Sequence, residues 1–177
     1  MTELFEPDGP HDHRIAVRAP AGPLGLLNEA GVLTSADVQV ATRVGALAVL
    51  ADGRAVEDDL ALLALALCVR SVRSGSVCLD LATVATSTEV PEGWTWPAYD
   101  AWCAAIDASA LVAGGVLHRD GSLVHLDRYL REERQVAADL RAREELPAPA
   151  VDEALLASGA ARVFGATGDE EQRAAAR

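Results

Sequence analysis

The sequence predicts a mainly α fold: a helical domain carrying one small β-hairpin. Apolar residues recur at three- and four-residue spacing through most of the chain, with glycine and proline between the periodic stretches. Only around Asp120-Gly121 do two short apolar runs flank a tight-turn dipeptide, the pattern of a hairpin. Half of the 177 residues are hydrophobic and 24% are charged, which suits one or two globular domains and excludes a disordered chain.

Residues 1–22 lack periodicity and read as a loose tail with His11 and His13 around Asp12. A His-x-His pair can hold a metal, but no other ligand clusters beside it. From Pro23 the pattern is helical, with Leu24 and Leu27 on one face and Gly31 placed as a C-terminal cap. A second helix follows, opened by Thr34 with Asp37. Its stripe of Val40, Val44, Leu47 and Ala48 ends near Asp52-Gly53. Asp58 or Asp59 opens the third helix, whose inward positions are Leu60, Leu63, Ala64, Leu67 and Cys68, and Gly75 stops it. Acids at its start and Arg70 and Arg73 near its end match the helix dipole.

Ser76 to Leu81 alternates polar and apolar residues, so it is a short strand or an extended segment. The loop Thr86 to Pro97 brings Trp94 and Trp96 close together. A tryptophan pair can stack on nucleobases, and two bulky rings can equally cover the end of a small helical core. Pro97 leads into a helix with Tyr99, Trp102, Cys103 and Ile106 inward, and the hairpin follows Ser109. There His118 and His125 can face each other across the strands, either as an ordinary cross-strand pair or as a metal or catalytic pair.

From Asp127 a long amphipathic helix runs to about Glu144 with Tyr129, Val136 and Leu140 inward. Its outer face mixes signs, with Asp127 and Arg131, and Asp139 and Arg143, at the favourable acid-first spacing. The five arginines from Arg128 to Arg143 are offset by six acids from Asp127 to Glu145, so the helix reads as solvated or partner-facing rather than nucleic-acid-binding. Pro147 and Pro149 mark a boundary, which sets domains at 23–146 and 147–177. Beyond it, Val151 to Phe164 is a helix with Leu155, Leu156, Val163 and Phe164 on its apolar side. Asp169 to Gln172 then has the form of a capping box.

The chain carries 27 acidic against 15 basic residues, a formal net charge of −12, and contains no lysine. Such acidity disfavours autonomous binding to DNA or RNA. Without lysine these residues contain no phosphate-loop ATPase site, no Schiff-base enzyme and no kinase-type nucleotide lysine. Cys68, Cys78 and Cys103 are odd in number and lack Cys-x-x-Cys spacing, so they read as buried free thiols in a reducing, cytoplasmic setting. No secretory signal opens the chain, and the longest apolar run, Leu60 to Val69, is too short to cross a bilayer, so no membrane partner is expected. No nucleophile-and-base pair, Gly-x-Ser-x-Gly or His-Glu-x-x-His spacing is present.

The order of segments resembles a known family. Gly-Leu-Leu-Asn-Glu-Ala-Gly-Val-Leu from Gly25, Gly-Ser-Val-Cys-Leu-Asp-Leu from Gly75 and Leu-Val-His-Leu-Asp-Arg-Tyr-Leu-Arg-Glu-Glu from Leu123 are similar to the N-terminal region of RecD. RecD is the alpha subunit of exodeoxyribonuclease V, the RecBCD enzyme. Val-Asp-Glu-Ala-Leu-Leu from Val151, Val163-Phe164 and Asp-Glu-Glu-Gln-Arg-Ala-Ala-Ala from Asp169 resemble the approach to that family's first helicase domain.

The resemblance implies a helical domain that packs against RecC and through it reaches RecB. The first helices of an incomplete α/β helicase domain would follow, cut short of the Walker A motif. The family implies an ATP-dependent DNA helicase that moves 5′ to 3′ and serves double-strand break repair by homologous recombination. Its phosphate loop needs a lysine that this chain lacks. Gln172 matches the family's glutamine that contacts the adenine of ATP, and it is equally placed to cap the last helix. ATP and Mg2+ are therefore expected for a complete subunit and no cofactor for this chain, which is expected to meet DNA only in the complete complex. The expected role is an assembly domain without ATPase. The alternatives are a non-enzymatic helical adaptor for a different protein partner, and an enzyme that uses His118 and His125.

Overall fold

The computed structural model of the chain describes residues 6, 8, 9, 12–16, 18, 20–48, 58–147 and 150–164. The chain divides into two compact units, Met1–Val136 and Ala137–Arg177. The first holds helices α1 (Pro23–Glu29), α2 (Ser35–Leu47), α3 (Asp59–Arg73), α4 (Val84–Ser87), α5 (Tyr99–Asp107) and α6 (Ala110–Ala113), with strands β1 (Cys78–Asp80), β2 (Leu117–Asp120) and β3 (Leu123–Leu126). Helix α7 (Asp127–Glu144) crosses the division and α8 (Glu153–Phe164) lies in the second unit. The mainly α expectation therefore holds.

Helix α3 is the axis of the first unit. Asp58 caps it by accepting from the backbone N–H of Leu60 at 2.8 Å, and Arg70 and Arg73 sit in its last turn, where cations oppose the helix dipole. Gly75, at φ +87°, makes the left-handed turn that ends it. Its apolar residues reach around the whole helix, so Ala61 and every residue from Leu63 to Cys68 are buried. That is a wider buried face than the expected stripe, while Leu60 is only partly covered.

Helix α2 packs on α3 through small residues. Thr34 and Asp37 form the expected capping box, but the inward face is Val38, Ala41 and Gly45. Of the expected stripe, Ala48 is buried and Val44 packs partly on the core, whereas Val40 and Leu47 are exposed, Leu47 at 80%, which corrects that half. Close approach goes with this: a Cβ on Gly45 would meet Leu62 Cδ2 at 2.3 Å, so any larger residue there forces the Leu62 side chain to move. The helix ends at Leu47, and the predicted stop at Asp52-Gly53 lies outside the described residues.

The stretch 1–22 is not loose throughout. Asn28, fully buried on α1, accepts from Ala16 N–H at 2.8 Å and donates to the carbonyls of Arg14 and Leu33 at 3.0 and 2.9 Å. One amide thereby satisfies three backbone groups and ties residues 14–16 to the body.

The hairpin belongs to a three-stranded antiparallel sheet of order β1-β3-β2, so Ser76 to Leu81 does contain a strand. Asp120 pairs with Leu123, leaving Gly121 and Ser122 as a two-residue turn, with Gly121 at φ +59° in its first position. That is the glycine demand of a type II′ hairpin turn. Leu79, Val124 and Leu117 lie on the face toward the core, while Cys78, His125 and His118 share the other.

Candidate functional site

The register sets His118 directly opposite His125 and Cys78 opposite His125, so the three form a row across the sheet. The imidazoles do not share a ligand. His118 Nε2 lies 2.9 Å from Asp127 Oδ1, a bond that ties the hairpin to the start of α7. His125 is buried, and its Nδ1, 3.6 Å from Glu133 Oε2, makes no hydrogen bond. Hydrogen bonding to His118, reinforced by the charge of Arg131, holds the Asp127 carboxyl below its usual value. Among the described residues no group of three or more His, Cys, Asp or Glu is placed to hold a metal.

Trp94, Trp96 and Trp102 form one cluster. Trp94 meets Trp96 edge-on at 5.7 Å between centroids, and Trp96 stacks on Trp102 at 5.9 Å. Trp102 is buried and donates its indole N–H to Leu60 O at 2.9 Å, while the other two rings pack partly buried on the core. The rings therefore close one end of the core. Tyr99, expected inward beside them, is exposed.

All three cysteines are free, with Cys68 and Cys103 buried and Cys78 only half-buried, which corrects the uniform burial expected. Burial pushes the thiol pKa of Cys68 and of Cys78 upward, which keeps both protonated and unreactive near neutrality. Gln172, the expected adenine contact, lies outside the described residues, as does His11.

Helices α7 and α8 carry the largest departure from expectation. Val136 and Leu140, predicted inward on α7, are exposed, and no residue of this 18-residue helix is buried. Periodicity grouped them on one face correctly, but that face is left exposed, Val136 at 58% and Leu140 at 55%. Around them Asp127 pairs with Arg131 at 2.7 Å, as the acid-first spacing predicts, and Arg128 pairs with Glu132 at 2.9 Å. On α8 the expected apolar side exists: Leu155 is 70% and Val163 71% exposed, Leu156 and Phe164 are half-buried, and all four line an open apolar groove. Bare apolar faces ringed by charge are a surface suited to burial against protein. No helix among the described residues is long and apolar enough to cross a membrane.

Fold and geometry together define a helix-rich body with a small antiparallel sheet, followed by helices α7 and α8, in which no described residue is fully buried. Comparison with known proteins gives that class a family. The family model for the N-terminal domain of the RecBCD enzyme subunit RecD matches residues 29–130, and the chain belongs to this family. It is similar to the RecBCD enzyme subunit RecD of Mycolicibacterium smegmatis, with 47% identity over 151 residues, 84% of this chain and 24% of that protein. The RecD subunit of Mycobacterium tuberculosis is 43% identical over 169 residues, 93% of this chain and 27% of that protein. The chain thus spans about a quarter of the length of the curated relatives it matches. No solved structure matches.

Proposed function

We propose that this chain is an assembly domain: it docks a RecD subunit onto a RecC-like subunit and, through it, onto a RecB-like one. The observation that carries the reading is the exposed apolar residues of α7 and α8 in a chain of the RecD N-terminal family. The net charge of −12 supports protein rather than DNA as the direct partner, so DNA is met only in the complete complex. In that complex the subunit unwinds DNA 5′ to 3′ with ATP and Mg2+ in repair by homologous recombination, and Gln172 contacts the adenine there. The setting is cytoplasmic.

By itself the chain hydrolyses no ATP. A helicase motor grips the nucleotide phosphates with a phosphate-loop lysine, and the 177 residues contain none. The test is direct: the purified chain is mixed with a matching RecC-like subunit and passed over a sizing column, and its ATP hydrolysis is assayed in parallel. Co-elution with no hydrolysis above buffer is expected. Failure to co-elute points to an adaptor for a different protein, and robust hydrolysis overturns the reading.

A further inference from the structure

The last turn of α3, the approach to β1 and helix α4 with its flanks enclose a cavity of about 320 Å³ in the first unit. Arg70 lines it, and the residue is only 7% exposed. Its Nε donates to Val32 O at 2.9 Å, which fixes the guanidinium, and its Nη groups make no hydrogen bond among the described residues. The nearby acid is already taken. Asp37 accepts from Arg73 at 2.8 Å and from the backbone and hydroxyl of Thr34. Burial, with repulsion from Arg73, pulls the Arg70 pKa down, and the charge of Asp37, already paired with Arg73, opposes this only in part. Even so, a guanidinium stays charged inside a protein, so the deficit calls for an anionic partner.

The cavity walls supply further donors. The hydroxyls of Ser71, Ser74, Ser87 and Thr88 line it and make no hydrogen bond among the described residues. Asp80 is the one acid of the lining, and it accepts from Ala82 N–H at 3.0 Å and the Thr83 hydroxyl at 2.9 Å. We propose that this cavity receives the carboxylate of an Asp or Glu side chain presented by a protein partner, with the Arg70 Nη groups as its charged donors and the four hydroxyls as neutral ones. The inference rests on the assembly reading and adds the chemistry of one contact. A carboxylate fits better than a phosphate for two reasons: it is planar and singly charged, matching one guanidinium fork, and a dianion would face Asp80 and an acidic molecule.

The test is an amide NMR titration of the 177-residue chain with acetyl-Gly-Glu-Gly-amide, its Gln counterpart and inorganic phosphate. The Glu peptide is expected to shift Ser71, Ser74, Ser87 and Thr88 saturably, about ten-fold more tightly than the Gln peptide, as a charged hydrogen bond implies. Ser74→Glu and Ser87→Glu change exposed rim positions, so the fold survives and the negative charge abolishes the shifts. Equal binding of the two peptides, no shift with either, or tighter saturation by phosphate overturns the proposal. If it fails while the chain still co-elutes with a RecC-like subunit, only this contact falls and the assembly reading stands.

Discussion

Helices α3 and α7 are the two longest in the described structure and have opposite surroundings. Helix α3 buries eight of its 15 residues, and α7 buries none of its 18. The difference is one of composition arranged on the same period. The run Leu60 to Val69 holds no charge, whereas in α7 the apolar Val136 and Leu140 stand among arginines and acids that pair with one another. A helix of the first kind supplies stability to the fold. A helix of the second kind leaves apolar area exposed, which the proposed docking uses, and α8 shares that exposure. On the proposed reading, the contrast separates residues whose loss should unfold the protein from residues whose loss should leave it folded and unattached.

The largest effect is expected at the packed end of α3. Trp102→Ala removes a ring that stacks on Trp96 and donates to Leu60 O, so it should cost about 3–5 kcal/mol in urea unfolding. Asn28→Ala strands three backbone groups at the start of the body. A loss of roughly 3 kcal/mol is expected, with faster amide exchange at Ala16 as the local sign. Next comes Gly45→Val, which forces α2 away from Leu62 and should destabilise by about 1–3 kcal/mol, read as a lower thermal midpoint.

On the other side of the comparison, the paired substitutions Val136→Ser and Leu140→Ser, or Leu155→Ser and Val163→Ser, should change stability by no more than about 0.5 kcal/mol each. Their effect belongs in partner binding, measured as earlier elution of the complex being lost. A stability loss as large as that of Trp102→Ala would erase the distinction between the two helices.

The smallest effect is that of acid on the hairpin. The folded Asp127 pKa lies below the ordinary aspartate value of 3.8, so its tie to His118 is fully present above that value. It is lost as the pH falls from 3.8 through the lower folded value. Carboxyl-detected NMR of Asp127 should follow the tie breaking as the pH falls through that acid window, and Asp127→Asn should remove this acid dependence.

The parts legible in sequence were those governed by local rules. The Asp58 and Thr34 caps and the Gly75 stop are decided within a few residues and stand where the chain chemistry puts them, while the hairpin turn falls one residue later than Asp120-Gly121, at Gly121-Ser122, because Asp120 pairs with Leu123. The inward face of α2 was legible only at Val44 and Ala48, and that of α7 was not, because periodicity groups residues on a face and does not say which face is covered. In α2 the covered face is the one with Gly45, whose value is its lack of a side chain and which any hydrophobicity count passes over. Strand β1 was ambiguous because its partner, β3, lies far along the chain, as in Cys78 opposite His125. Helices α4 and α6, with four residues each, are too short to carry a period. The exposed apolar residues of α7 and α8 were readable only as amphipathic stripes, and their exposure is a fact of tertiary structure. The roles of Asn28 and Arg70 were hidden too, since a buried polar side chain is recognised by its partners, which only the fold brings near.

The central claim, that this chain folds around α3 and attaches through what α7 and α8 leave exposed, is tested most directly by calorimetric titration of the 177-residue chain into a matching RecC-like subunit. Saturable binding is predicted, with a negative heat-capacity change from burial of apolar surface and a marked loss for the Leu155→Ser, Val163→Ser variant. A folded chain that gives no heat, or a variant that binds as well as the parent, would contradict it.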